Sequence, residues 1–234
     1  MAVEEKKIAA AKEALKFIED GMVLGVGSGS TVKYFIDLLG DALKNSEIKN
    51  VIAIPSSYDT EILLKEKGIS ISSLLEYPEI DVVIDGADSV LLDKKLLIKG
   101  GGGAFLREKV IAYAARSRII IVDDTKLNRD FPIPIEVLPF ALGHVIEKIS
   151  SRITSNIVIR KCNGKVGPCI SDNGNMIIDV HIPKEKLNKD LEVQLNMIPG
   201  VLENGIFNIS CRIIVGAEGS VCLLYTSPSP RDRG

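Results

Sequence analysis

The sequence predicts an α/β protein in which a helix-covered parallel sheet is joined to a smaller α+β unit. Short β-branched runs recur at residues 22–26, 51–54, 82–84 and 119–122. Their spacing of roughly 30 residues matches a unit that joins parallel strands through a helix. Runs such as Ile119-Ile120-Ile121-Val122 are apolar at successive positions, as expected of a strand buried on both faces. After Asp130 the rhythm gives way to prolines and Asn-Gly pairs, which favour short antiparallel hairpins.

Residues 2–20 alternate Glu and Lys with Ala, Ile and Leu at helical spacing, so the chain is expected to open with an amphipathic helix and not with a signal peptide. Each of the four apolar runs is followed by glycine or polar residues and then by a helical pattern. Phe131-Pro132-Ile133-Pro134-Ile135 cannot continue a helix and reads as an extended connector, so a domain boundary is placed at Asp130. Strands are expected at 156–161 and 176–182, with Asn163-Gly164 and Asn173-Gly174 as the turns. Residues 199–207 read as loop, and 211–215 as a strand returning to the first domain. The expected organisation is a large α/β domain over 1–130 and 206–222, a small α+β domain over 131–205, and a disordered or non-native tail over 223–234.

With 234 residues, 46% of them apolar, the chain can bury one sizeable core and a smaller second one. Its 29 basic and 31 acidic side chains give a net charge of -2, and no basic run stands clear of acidic neighbours. Nucleic acid and acidic membranes are therefore not the expected partners. No apolar run approaches the roughly 20 residues of a membrane span. Tryptophan is absent and aromatics are few, so a stacking groove has little to be built from, and a small charged ligand fits better. Cys162, Cys169, Cys211 and Cys222 lack metal-ligand spacing and are expected as reduced thiols. Neither histidine, His144 or His181, has a partner at metal or triad spacing.

In an open parallel sheet, ligands bind outside the carboxyl ends of the strands, so the residues just after each run are the informative ones. The first run leads into Gly25-Val26-Gly27-Ser28-Gly29-Ser30-Thr31. Its glycines let amides approach an anion, and its hydroxyls stand at a helix start, a combination that suits phosphate. A dinucleotide fingerprint fits less well, because Ser30 takes the third glycine position and Pro55-Ser56-Ser57 offers no acid for a ribose. The third run ends in Asp85-Gly86-Ala87-Asp88, two carboxylates able to handle hydroxyl protons, although a plain Asp turn with Asp88 capping a helix explains the same residues.

Lys99-Gly100-Gly101-Gly102-Gly103-Ala104 comes next, and then a helical pattern with Arg107, Glu108 and Lys109 in its opening turn. Four successive glycines carry a high entropy cost, and between an apolar segment and a helix they point to close approach of a ligand. An acid in a first helical turn is stabilised by the helix dipole whether or not it reacts. The fourth run ends in Asp123-Asp124-Thr125-Lys126, where Lys126 is either a ligand-binding cation or a solvated turn lysine.

Taken in order, Gly-Ser-Gly-Ser-Thr, Ser-Ser, Asp-Gly-Ala-Asp, Lys-Gly-Gly-Gly-Gly-Ala with Arg-Glu-Lys, Asp-Thr-Lys and the later Pro199-Gly200-Val201-Leu202-Glu203-Asn204-Gly205-Ile206-Phe207 resemble the type A ribose-5-phosphate isomerases. The resemblance covers about residues 9–216, with the motifs in the family's order. It implies a doubly wound, mostly parallel α/β domain with a smaller ferredoxin-like α+β domain. It also implies a cytoplasmic homodimer or homotetramer, a sugar-phosphate substrate, and no metal or coenzyme. Carried onto this sequence, it makes Ser28, Gly29, Ser30 and Thr31 substrate contacts and places Asp85, Gly86, Ala87 and Asp88 at the hydroxyl end. Lys99, Gly100, Gly101 and Gly102 become the facing wall, Glu108 the proton acceptor and Lys126 a further substrate-binding lysine. Ser89 stands where the family commonly has Glu.

For an aldose–ketose isomerisation of that kind, Glu108 is expected as the carbon base and Asp85 as the proton carrier at the sugar oxygens. Asp88 would assist ring opening or orientation, and Lys99 with the glycine amides would hold the enediolate charge. Two other readings are weighed: a transferase or deaminase of related fold, and a non-catalytic sugar-phosphate sensor, which no DNA-binding helix pair or basic patch supports.

Overall fold

The computed structural model describes residues 2–164 and 166–226. The elements in chain order are α1 (Ala2–Leu15), β1 (Val23–Val26), α2 (Ser30–Lys44), β2 (Ile52–Pro55), α3 (Tyr58–Glu66), β3 (Ser70–Ile71), β4 (Ile80–Asp85), β5 (Ser89–Leu91), β6 (Leu96–Ile98), α4 (Phe105–Ala114) and β7 (Ala115–Asp123). Then come β8 (Ile133–Val137), α5 (Leu142–Arg152), β9 (Ile157–Ile159), β10 (Met176–Val180), α6 (Lys189–Asn196), β11 (Val201–Asn204), β12 (Ile206–Phe207), β13 (Arg212–Ala217) and β14 (Ser220–Tyr225).

The chain divides into two compact units. The first takes the described chain up to Ala87, Arg107–Leu127 and the part from Ile209 onward; the second takes Asp88–Leu106 and Asn128–Asn208. Residues 88–106 thus gather with the second unit, whereas the sequence pattern assigns them to the large domain. The cause is strand pairing. Val90 lies opposite Leu97 in the β5–β6 hairpin, and Ile98 lies opposite Ile206 of β12.

The first unit is built on a seven-stranded sheet in the order β14-β13-β7-β4-β1-β2-β3. All neighbours are parallel except β13 and β14. Because side chains alternate along a strand, Leu24, Val26, Ala53, Val82, Ile84, Ile119, Ile121 and Ile214 share one face. They form one buried cluster with Ala10, Ala11 and Ala14 of α1, the stripe Val32, Phe35, Ile36, Leu39 of α2, and Leu64 of α3. On the other face α4 comes so near that a Cβ at Gly25 would lie 2.4 Å from Ile111. Helices therefore cover both faces, which is why the strands read as unbroken apolar runs.

The strand order reverses between β1 and β4, since β2 and β3 lie to one side of β1 and β4, β7 and β13 to the other. Open sheets of this kind leave a crevice at such a point. The loops after β1 and β4 meet there.

The second unit carries a four-stranded sheet, β11-β8-β10-β9, and the small sheet β12-β6-β5. Ile133, Ile135 and Val137 of β8 pack with Val145 and Ile149 of α5, Ile178 and Val180 of β10, and Leu191 and Leu195 of α6. The segment read as a proline-punctuated connector is thus an interior strand. Pro134 is tolerated because a residue's N–H and C=O point to the same side of a strand. Its carbonyl accepts from Gly205 N at 2.8 Å, just past the end of β11, so its missing N–H also faces where the ladder has stopped.

Two more expectations are corrected. Leu223, Leu224 and Tyr225 belong to β14, paired with Ile214, Ile213 and Arg212, so the expected tail begins too early; residues 227–234 lie outside the described ones. Cys162 and Cys169 are joined in a disulfide instead of being free thiols, because the turn at Asn163-Gly164 brings their Cα atoms to 4.9 Å. Cys211 and Cys222 form no disulfide among the described residues. No helix among the described residues is long and apolar enough to cross a membrane.

Candidate active site

In the first unit, β1 runs out into Gly27 and Ser28, and α2 starts at Ser30. Gly29 has φ 107° and ψ 172°, a conformation essentially reserved for glycine, and it turns the chain into the helix. No side chain caps the start of α2, so its first amides are left for another acceptor. The Ser30 hydroxyl accepts from the Lys7 ammonium at 2.9 Å.

Gly27 N donates to Ile84 O at 2.9 Å, which ties this loop to β4. The approach is so close that a Cβ at Gly27 would fall 1.9 Å from Asp85 Oδ1 and 2.7 Å from Asp85 Cβ. Thr60 Oγ1 donates to Gly27 O at 2.7 Å, and Ser57 caps α3 by accepting from Thr60 N. The Ser-Ser motif thus acts at least in part by holding the first loop. Asp85 is 2% exposed, and its Oδ1 also accepts from Gly86 N at 2.7 Å.

Glu108 lies in the first turn of α4 and is 4% exposed. Ser28 Oγ donates to its Oε1 at 2.6 Å, joining the first loop to the candidate base. Phe105, Glu108, Lys109 and Ala112 are all buried, at spacing i, i+3, i+4 and i+7. The sequence motifs assign Lys109 no role, although this helical period signals that it faces inward with Glu108.

Lys126 closes a short 3₁₀ turn, Asp124–Lys126, after β7. Asp123 caps that turn by accepting from Thr125 N at 3.0 Å. Asp124 pairs with Lys6 of α1 at 2.8 Å, and this hydrogen bond keeps the Lys6 ammonium charged above its usual range. Among the described residues Lys126 makes no hydrogen bond or ion pair, so its charge remains available to an anion.

The second unit holds Asp88, Lys99 and the glycine run. Asp88 begins no helix; β5 comes directly after it, and its Oδ2 accepts from Gly101 N at 2.7 Å. Lys99 is 3% exposed, its N donates to Gly205 O at 2.9 Å, and its ammonium stands 5.5 Å over the Phe207 ring. Gly100 has φ 106°, and a Cβ there would lie 2.6 Å from Phe105 and 2.7 Å from Pro134. Gly103, with φ 85°, closes the turn by donating to Gly100 O at 3.0 Å. Ser89 Oγ donates to Arg129 O at 2.6 Å. Both histidines are exposed and stand apart from these loops in the chain. No group of three or more His, Cys, Asp or Glu suited to a metal ion occurs among the described residues.

A buried carboxylate holding a serine hydroxyl, a second carboxylate at the sheet's switch point and uncapped amides beside them equip an α/β enzyme for moving protons on a small anionic substrate. Comparison with known proteins makes this specific. The family described as ribose 5-phosphate isomerase A (phosphoriboisomerase A) matches residues 52–220. The chain is 48% identical to ribose-5-phosphate isomerase A of Pyrococcus horikoshii over 227 residues, covering 94% of this chain and 98% of that protein. It is 44% identical to the Methanococcus aeolicus protein of the same name, covering 94% of each. Among solved structures, a D-ribose-5-phosphate isomerase in complex with phospho-erythronic acid aligns at 46% identity with a TM-score of 0.90, over 96% of this chain and 100% of that one. The Plasmodium falciparum enzyme aligns at 34% identity with a TM-score of 0.85, over 94% and 97%. The chain belongs to the ribose 5-phosphate isomerase A family.

Proposed function

We propose that this chain, a member of the ribose 5-phosphate isomerase A family, interconverts ribose 5-phosphate and ribulose 5-phosphate through an enediolate formed by general acid–base catalysis. The reaction removes the C2 proton, returns a proton to C1 and shifts a hydroxyl proton between O2 and O1. No net oxidation occurs, so the chemistry needs no electron carrier. Glu108 is the carbon base, and Ser28 presents it. Asp85 carries the proton between the sugar oxygens, and Asp88 assists ring opening or orientation. Lys99 with the amides of the glycine run meets the charge that builds on oxygen. Ser28, Gly29, Ser30, Thr31 and Lys126 bind substrate, with Lys126 supplying the cation for phosphate.

What supports this reading is the Ser28–Glu108 contact, since a 2.6 Å hydrogen bond to a carboxylate that is 4% exposed gives a base a fixed aim in a dry setting. The ligand of the related structure fits as well, because the carboxylate of a phospho-erythronic acid is a planar, charged likeness of an enediolate. Such an acid is expected to inhibit this chain competitively. The deciding experiment is incubation with ribose 5-phosphate alone, monitoring ketose formation. Glu108→Gln should fold and bind but lose about 10²–10⁴-fold in kcat, the usual share of a positioned base. Turnover within a few-fold of the parent would move the base elsewhere.

The protein is further inferred to act in the cytoplasm as a homodimer or homotetramer. Supporting association are exposed apolar side chains, Tyr58 and Ile62 on α3 and Val110 and Tyr113 on α4. Sedimentation velocity tests it.

A further inference from the structure

Four consecutive glycines do not hold one conformation by themselves, yet the second unit contains a side chain placed to hold them. Arg160 lies just after β9 and its side chain is only 13% exposed. Its Nε donates to Asp179 Oδ2 at 2.9 Å and its Nη2 donates to Asp179 Oδ1, a two-pronged pair with a carboxylate that is 17% exposed. The remaining nitrogen, Nη1, donates to Gly100 O at 2.7 Å and reaches Gly101 O at 3.4 Å. The backbone of Arg160 is fixed as well, since its N donates to Ile177 O at 2.9 Å and its O accepts from Cys169 N at 2.8 Å.

Peptide geometry turns these contacts into an aim. Within one peptide plane the C=O of a residue and the N–H of the next point in opposite directions. Anchoring Gly100 O on the guanidinium therefore sends the Gly101 N–H the other way, and it is found donating to Asp88 Oδ2 at 2.7 Å. The weaker contact to Gly101 O sends the Gly102 N–H to that same side. A cation bound to the carbonyl ends also polarises the peptides and strengthens their amides as donors.

We propose that Arg160, oriented by Asp179, is a positioning residue for catalysis: it fixes the direction of the Gly101 and Gly102 amides and of the Asp88 carboxylate. This rests on the glycine run and Lys99 lining the reaction site, as assigned under the proposed function. Arg160 itself touches no reacting atom. Its loss acts on kcat, because a misdirected Gly102 amide fails the charge that appears only in the transition state and Asp88 loses the Gly101 N–H that orients it, while ground-state binding changes little. Losing one charge-assisted bond and loosening a second corresponds to about 10–100-fold in kcat.

The test uses the full chain and three variants. Arg160→Met alone strands the Asp179 charge and can unfold the second unit, so Arg160→Met/Asp179→Leu is the decisive variant, since it removes both charges. Expected are a melting temperature within a few degrees of the parent, kcat down about 10–100-fold and KM within about threefold. A purely structural ion pair predicts the opposite, with kcat recovered once both charges are gone. Arg160→Lys keeps the charge beside Asp179 but lacks the planar fork, and its kcat is expected between the two. A folded double variant with kcat within threefold of the parent overturns the proposal. If the double variant does not fold, Arg160→Lys decides, and parental kcat there overturns it. Lys99→Met separates the two layers: parental turnover in that variant removes the glycine run from the site, whereas inactive Lys99→Met beside a fully active double variant defeats only the role of Arg160.

Discussion

Replacing Gly27 with alanine tests how the candidate site is packed, because the new methyl has nowhere to go. It would fall 1.9 Å from Asp85 Oδ1, 2.1 Å from Cγ and 2.7 Å from Cβ. The carboxylate can rotate away, but Cβ moves only with the backbone of β4, which is held between β1 and β7. Overpacking of this kind costs about 1–3 kcal/mol. For a chain of this size each kcal/mol lowers the melting temperature by about 2–4 °C, so a drop of roughly 2–12 °C is expected in calorimetry. Catalysis should suffer more than stability, since Asp85 must leave the position from which it is proposed to serve the sugar oxygens; kcat for ribose 5-phosphate should approach that of Asp85→Ala. Gly86→Ala is the packing control, because its Cβ would lie 3.8 Å from the nearest atoms, an ordinary contact. Adding Asp85→Gly to Gly27→Ala should recover part of the lost stability without recovering activity, a coupling of opposite sign to the single effects. Parental melting and turnover in Gly27→Ala would refute the close approach of the two loops.

Other changes test other parts. Lys126→Ala should mainly raise KM, by one to two decades for a lost charge-assisted contact to phosphate, whereas Lys99→Ala should mainly lower kcat; steady-state kinetics in which the two effects were exchanged would exchange the assignments. Thr226 Oγ1 accepts from Cys211 N at 2.9 Å and donates to Ile209 O at 2.8 Å, so Thr226→Val should leave two buried backbone groups unsatisfied and cost about 1–3 kcal/mol by denaturant titration, with kcat unchanged. Ending the chain before Leu223 removes the same contacts with half of β14 and should destabilise it at least as much. Treatment with EDTA is expected to leave turnover intact, since proton shuttling between neighbouring carbons requires no Lewis acid once Lys99 and amides meet the charge; loss that magnesium restores would argue for a metal-assisted route.

The parallel sheet was legible because its code is local. Unbroken β-branched runs, each closed by glycine or acid, recur at the length of a βαβ unit, and the loops that leave them gather along one edge of the sheet. That pattern marked Glu108, Asp85, Lys99 and Lys126 as candidates, and the family resemblance supplied the role proposed for each. Their chemistry stands at strand and helix ends, where a sequence pattern changes. Pairing partners, by contrast, are set by hydrogen bonds between distant segments, and nothing in residues 88–106 states that β6 will lie against β12. Pro134 read as an interruption because a sequence shows that proline lacks an N–H but not which side of the strand that N–H would have faced. Leu223, Leu224 and Tyr225 looked like the start of a tail, since an exposed edge strand has little burial to declare itself. The inward turn of Lys109 lay in the helical period, yet only the packed structure shows that a charge is buried there. Arg160 is the furthest case: its neighbours in sequence mark a hairpin, and its placement depends on Asp179 from one strand and Gly100 from a loop sixty residues earlier, contacts that exist only once the second unit has closed. The sequence by itself determined which residues are chemically equipped, because equipment is a property of side chains; the tertiary structure decided which carbonyls, amides and carboxylates face them, because direction is set only when the backbone is fixed in space.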